Sequence, residues 1–96
     1  MGWLGFTNTK MNIYHILVKH EYEAQDILLK IKTFEDFQKC AEKFSLCPSG
    51  KDGGFLGPFK KNRFVESFEE AVEELTANKI SKPVRTQFGY HLIWKK

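Results

Sequence analysis

The sequence predicts an α+β fold, with three amphipathic helices packed on a small antiparallel or mixed sheet. Three observations predict it. The run IYHILV at 13–18 is apolar on both faces and rich in β-branched and aromatic residues, as in a buried strand. Three helical stripes follow in succession. Two short strand patterns, separated by a turn glycine, close the chain. The order is therefore β-α-α-α-β-β. Ninety-six residues support one core and not two. The predicted division is a flexible or extended N-terminal arm over residues 1–11, which carries no periodicity, and one domain over 12–96.

Each element has its own warrant. In the first strand Ile13, His15 and Leu17 share one face and Tyr14, Ile16 and Val18 the other. Glu21 to Lys32 reads as a helix, because Ala24, Ile27, Leu28 and Ile31 recur at helical spacing. Thr33 is the expected N-cap of a second helix running to about Phe44, with inner stripe Phe34, Phe37, Ala41 and Phe44. The span Ser45 to Gly57, SLCPSGKDGGFLG, is too rich in glycine, serine and proline for regular structure through most of its length. Such a loop often faces a ligand. Ser67 begins a third helix through an expected capping box with Glu70, and Phe68, Ala71, Val72 and Leu75 form its buried stripe. Asn78 is the expected left-handed cap. Lys82 to Thr86 and Tyr90 to Lys95 are the closing strands, with Gly89 between them.

Composition bounds the function. Hydrophobic residues at 42% and charged residues at 28% describe an ordinary globular domain and argue against disorder. A net charge of +3 permits weak attraction to anions and nothing stronger. No run approaches a membrane-spanning length, and MGWLGF lacks the basic region and cleavage pattern of a secretion signal. The expectation is a cytoplasmic monomer with reduced thiols and no membrane partner. Cys40 and Cys47 are too few for a disulfide framework. The histidines show no zinc-finger spacing, so no metal and no cofactor are expected. The basic stretch Lys60, Lys61 and Arg63 has no interleaved exposed aromatics, so nucleic acid is not an expected partner.

Chemistry concentrates at few positions. His15 and His91 lie inside strand patterns, and each imidazole needs a partner there. If the first and last strands are neighbours the rings can meet, and Thr86 offers a hydroxyl to join them. Such a cluster either pins strand register or serves catalysis. Cys47 lies in the glycine-rich loop, as a small loop residue or a thiol beside histidine. Cys40, between Phe37 and Phe44, packs. Leu56, Phe59, Phe64, Phe68 and Phe88 sit in or beside loops, as core or as the wall of a pocket for an apolar ring. The core reading is favoured for Phe59 and extends to Phe68.

Taken together, three blocks resemble the parvulin family of peptidyl-prolyl cis/trans isomerases: HILVKH at 15–20, FSLCPSGKDGGFLGPF at 44–59 and ISKPVRTQFGYHLI at 80–93. RFVESFEEAV resembles the family stretch that supplies the proline pocket. The resemblance spans about Asn12 to Lys96 and implies a parvulin-like, FKBP-like superfold. Its expected form is a four-stranded antiparallel-type sheet with about four helices, one a short turn near Lys61 to Phe64. It implies catalytic positions at His15, Cys47, Thr86 and His91, and a proline-binding wall of Leu56, Phe64 and Phe68 with Phe88 on the rim. It implies proline-containing peptides and folding proteins as partners. This chain departs from the pattern at Phe64, where Met is usual, at Phe55, where Asp is usual, and at Asn78, where Gly is common. The stretch KHEYEA is shorter than the basic loop of phosphate-directed parvulins and carries Glu21 and Glu23, which would repel a phosphate. A binding module for apolar, proline-containing segments is the alternative to an enzyme.

Overall fold

A computed structural model describes residues 11–96; the expected N-terminal arm lies, apart from Met11, outside the described residues. The elements are β1 (Asn12–Val18), α1 (Glu21–Leu28), α2 (Phe34–Phe44), a 3-10 turn (Pro48–Asp52), β2 (Phe55–Pro58), α3 (Glu66–Glu74), β3 (Lys79–Ile80), β4 (Val84–Thr86) and β5 (Gly89–Lys95). The class is α+β, and every strand pairing is antiparallel. The sheet runs β2-β1-β5-β3, and β4 also pairs with β5.

The two faces of β1 separate as its alternation demands. Ile16 and Val18, with Leu92 of β5, pack against Ala24 and Ile27 of α1 and Phe37 and Ala41 of α2. Ile13, with Ile93 of β5, packs against Phe68 and Val72 of α3. One sheet thus carries two small cores, and the α3 side also holds the histidines. Register places Leu17 opposite His91 and His15 opposite Ile93, so the histidines are diagonal neighbours on one face. At the far end of the same pair, Asn12 and Lys96 exchange two backbone hydrogen bonds, both 2.9 Å.

Helix ends follow local chemistry. Thr33 caps α2 as expected: its hydroxyl accepts from the Asp36 amide and the Asp36 carboxylate accepts from the Thr33 amide, both at 3.1 Å. α1 stops at Leu28, four residues before the expected end. Lys30 and Ile31 instead donate to carbonyls three residues back, tightening the exit so that Thr33 can start α2. Ile31 still packs on the core.

Six expectations need correction. The glycine-rich span is not irregular through most of its length: it contains the 3-10 turn and leads into β2 against β1. Two glycines in left-handed conformations, Gly53 and Gly54, make the sharp entry to that strand. A fifth strand appears because Lys79–Ile80 pairs with the end of β5. The last hairpin's first strand is shorter than expected, since Lys82 and Pro83 precede it unpaired. Residues 61–64 form turns and bends and not a helix. The α3 cap is Val65, not Ser67, and the expected Ser67–Glu70 box does not form. Asn78 is left-handed at φ 64°, but in the turn before β3, beyond the end of α3 at Glu74.

Candidate active site

The site is assembled from β1, β2, β5, α3, the β4–β5 turn and the loops on either side of β2. β1 delivers His15 and β5 delivers His91, and their Nδ1 atoms lie 3.0 Å apart with the rings stacked. On the other side of His91, Nε2 lies 2.7 Å from the Thr86 hydroxyl. That hydroxyl oxygen also accepts from the Phe88 amide at 3.1 Å, which ties the turn carrying Phe88 to the histidine pair.

Both imidazoles are buried, and His15 Nε2 has no partner. Burial pushes His91 down to about 4, and it pushes His15 down to about 4 with the charge of His91 as a second cause. Both rings are therefore neutral at pH 7. Counting donors then selects their tautomers. If Thr86 donates to His91 Nε2, the His91 Nδ1–H donates to His15 Nδ1, and the His15 Nε2–H is the one donor left over. The reverse arrangement strands the Thr86 hydroxyl hydrogen as well as the His15 Nε2 lone pair. The first is favoured, because each unmade buried bond costs about 1–3 kcal/mol.

Over this pair sits an apolar cavity of about 390 Å³. Leu56, Phe64 and Phe68 form its wall, Phe88 its rim, and His15, His91 and Cys47 its remaining sides. Phe68 links wall to network, since its ring stands nearly perpendicular to both His91 and His15 at centroid distances of 5.1 and 5.8 Å. Phe64 tilts over Phe68 at 5.0 Å, and Phe59 stacks behind Phe64 at 6.3 Å, in support of the wall. A larger hollow of about 440 Å³ beside α3 is lined mainly by Lys61 and glutamates and lies away from the imidazoles.

The structure thus brings His15, Cys47, Leu56, Phe64, Phe68, Phe88 and His91 to one cavity, with Thr86 behind it. Sequence reasoning missed Leu17, Arg63 and Val65 on its lining. The alternation of β1 already placed Leu17 on the His15 face. Arg63 and Val65 lie in RFVESFEEAV, the stretch whose family resemblance pointed to the pocket without singling them out.

Two further residues hold the site in shape. Ser45 follows α2 in extended conformation, and its hydroxyl accepts from the amides of Leu17 at 3.1 Å and Cys47 at 3.3 Å. The end of β1 and the thiol loop are thereby locked together. Glu69 is buried beneath the pocket loop and accepts from the Phe64 amide at 2.9 Å. That bond, with further amide contacts from Asn62 and Arg63, holds its carboxyl below the usual range. Gly54 is equally constrained. The His15 backbone amide donates to its carbonyl at 2.9 Å, and a Cβ there would meet the His15 carbonyl oxygen at 2.5 Å.

Residues 15–96 match the family model of the PPIC-type PPIase domain, or rotamase. The chain is 42% identical over 85 residues to the foldase protein PrsA of Geobacillus kaustophilus, covering 88% of this chain and 30% of that protein. It spans about a third of the length of the curated relatives it matches. The crystal structure of the peptidylprolyl isomerase PrsA from Bacillus anthracis superposes with a TM-score of 0.85 at 35% identity, covering 91% of this chain and 41% of that one. The solution structure of NmPin, the parvulin of Nitrosopumilus maritimus, does so with a TM-score of 0.79 at 37% identity, covering 91% and 96%. The chain belongs to the PPIC-type peptidyl-prolyl isomerase family, the parvulins.

Proposed function

We propose that this domain accelerates cis/trans rotation of X-Pro bonds in peptides and folding proteins by a non-covalent mechanism. The observation that carries the reading is the apolar cavity set directly over two neutral, hydrogen-bonded imidazoles. Rotation about the imide needs no bond to break, only passage over a barrier of roughly 18–20 kcal/mol. The protein must therefore bind the twisted amide better than either planar form, and each ~1.4 kcal/mol of that preference is worth about tenfold.

Two groups of residues divide the work. Phe64, Phe68 and Leu56 hold the pyrrolidine ring and exclude water. The twisted amide is less polar than the planar one, so a dry wall favours it. His15, His91, Thr86 and Cys47 shape the floor over which the carbonyl swings. The imidazoles are neutral and set a fixed pattern of donors, and the thiol supplies a compact side without attacking the substrate.

The reading includes independence from phosphate. The β1–α1 junction is only Lys19 and His20, and the first turn of α1 carries Glu21 and Glu23. One lysine against two carboxylates does not make a phosphate site. Exchange spectroscopy on X-Pro peptides tests the whole proposal: line broadening and exchange cross-peaks should grow with added domain. Shift changes around Phe64 and Phe68 without faster exchange would establish a binding module instead.

A further inference from the structure

The turn between β2 and α3 carries three exposed cations, Lys60, Lys61 and Arg63. Two of them go to different places. Lys61 lines the hollow among the α3 glutamates and pairs with Glu73 at 3.6 Å. Arg63 lines the proline cavity instead. It is the one charged side chain on that lining, since the other liners are apolar groups, the Cys47 thiol and two neutral imidazoles. Among the described residues no carboxylate pairs with it; the salt bridge found there is that of Lys61. Its backbone is held all the same. The Arg63 amide donates to the Lys60 carbonyl at 3.3 Å and is also in contact with the buried Glu69 carboxylate.

The strands set a direction across the cavity. The thiol loop is tied to the late end of β1, where the amides of Leu17 and Cys47 share the Ser45 hydroxyl. The turn that carries Arg63 leaves β2 at the early end of β1, where Pro58 faces Asn12 and the Phe59 amide donates to the Met11 carbonyl at 3.0 Å. His15 stands between these ends. With the proline ring against Phe64 and Phe68, the carbonyl that swings over the imidazoles and Cys47 belongs to the residue before proline. The substrate therefore enters from the thiol side, and the residue after proline leaves toward Arg63.

We infer that Arg63 is a specificity-determining residue that selects a carboxylate side chain on the residue directly after proline. The inference rests on the isomerase reading above and extends it to the far side of the proline ring. A guanidinium presents a planar fork of donors that matches a carboxylate, and here no protein carboxylate competes for it.

The test is exchange spectroscopy on peptides acetylated at one end and amidated at the other, in which Ala-Pro is followed by Gln, Glu or Lys. The blocked termini leave the side chain as the only source of charge. Catalysed exchange of the Glu peptide, corrected for its uncatalysed rate, is expected to be about fivefold faster than that of the Gln peptide at low salt, the upper end for an exposed ion pair. The Lys peptide should be slower than both, and the Glu-to-Gln ratio should shrink as ionic strength rises. In Arg63→Gln the ratio should fall to one at every salt concentration, whereas Arg63→Lys should keep part of it. Lys60→Gln removes the same charge from the same turn and should leave the ratio as it is. A ratio of one in the unaltered domain, an excess that survives Arg63→Gln, or an equal drop in Lys60→Gln overturns the assignment. Acceleration of none of the peptides overturns the isomerase reading and this inference with it, and the rate of the Gln peptide tells the two failures apart.

Discussion

His15 and His91, 76 residues apart in the chain, meet Nδ1 to Nδ1 at 3.0 Å, and burial keeps both rings neutral at physiological pH. Their pairing is a product of sheet register. A one-residue slip between β1 and β5 would send one ring to the opposite face.

The first prediction is a pH dependence of stability. A histidine whose folded value is about 4 binds its proton more readily in the unfolded chain, whose value is near 6.5. The unfolded state then holds more protons between pH 6.5 and 4, so stability is complete above 6.5 and falls as pH drops through that window. The loss is on the order of 3 kcal/mol for one ring, at about 1.4 kcal/mol per unit of depression. Urea midpoints measured from pH 8 to 4 should decline below 6.5, whereas a flat profile down to pH 5 would contradict neutral buried imidazoles. Turnover should likewise hold constant from pH 8 to 6.

Thr86→Val removes the hydroxyl that orders the network. His91 Nε2 and the Phe88 amide both lose a partner. The expected cost is about 1–3 kcal/mol in stability. It should come with a change in the imidazole ¹⁵N shifts as the tautomer assignment relaxes, and Thr86→Ser should restore both. Unchanged nitrogen shifts in the valine variant would mean that Thr86 does not set the tautomers.

A third prediction separates the thiol from the wall. Cys47→Ser should raise the barrier by less than about 1.4 kcal/mol, a loss under tenfold, because no bond forms to sulfur. Phe64→Ala should cost more than about tenfold, since the ring supplies one side of the dry wall, and its partial exposure spares the fold. Peptide exchange rates on folded variants decide it. Abolished turnover in the serine variant would give the thiol a direct role.

Much of this site was legible in the chain. The 13–18 alternation put Ile13, His15 and Leu17 on one face, and two strand-borne histidines with a nearby threonine implied a satisfied cluster. Thr33 announced its helix by ordinary capping chemistry. What escaped depended on contacts distant in sequence. β2 is only four residues long and follows two glycines, so local signals read as loop; it becomes a strand because β1 offers it an edge. β3 has two residues and no pattern of its own. The Ser67–Glu70 spacing suggested a cap that the structure does not use, because Glu69 instead turns back to the amides of the pocket loop.

Glu69 supplies a fourth prediction. Glu69→Ala should loosen the Phe64 wall without touching the imidazoles. KM for a proline peptide should rise by about tenfold, the equivalent of one charge-assisted hydrogen bond of roughly 1.5 kcal/mol, while kcat changes little. An equal fall in kcat with KM unchanged would place Glu69 in rotation itself.

The pair of backbone hydrogen bonds between Asn12 and Lys96 sets these two residues side by side at the ends of the two middle strands. A polypeptide arranged in that way can be spliced into a host's surface bend with no stretching of either partner, because the gap to bridge is one strand spacing. For the same reason a short tether between Asn12 and Lys96 would have only that one spacing to cross.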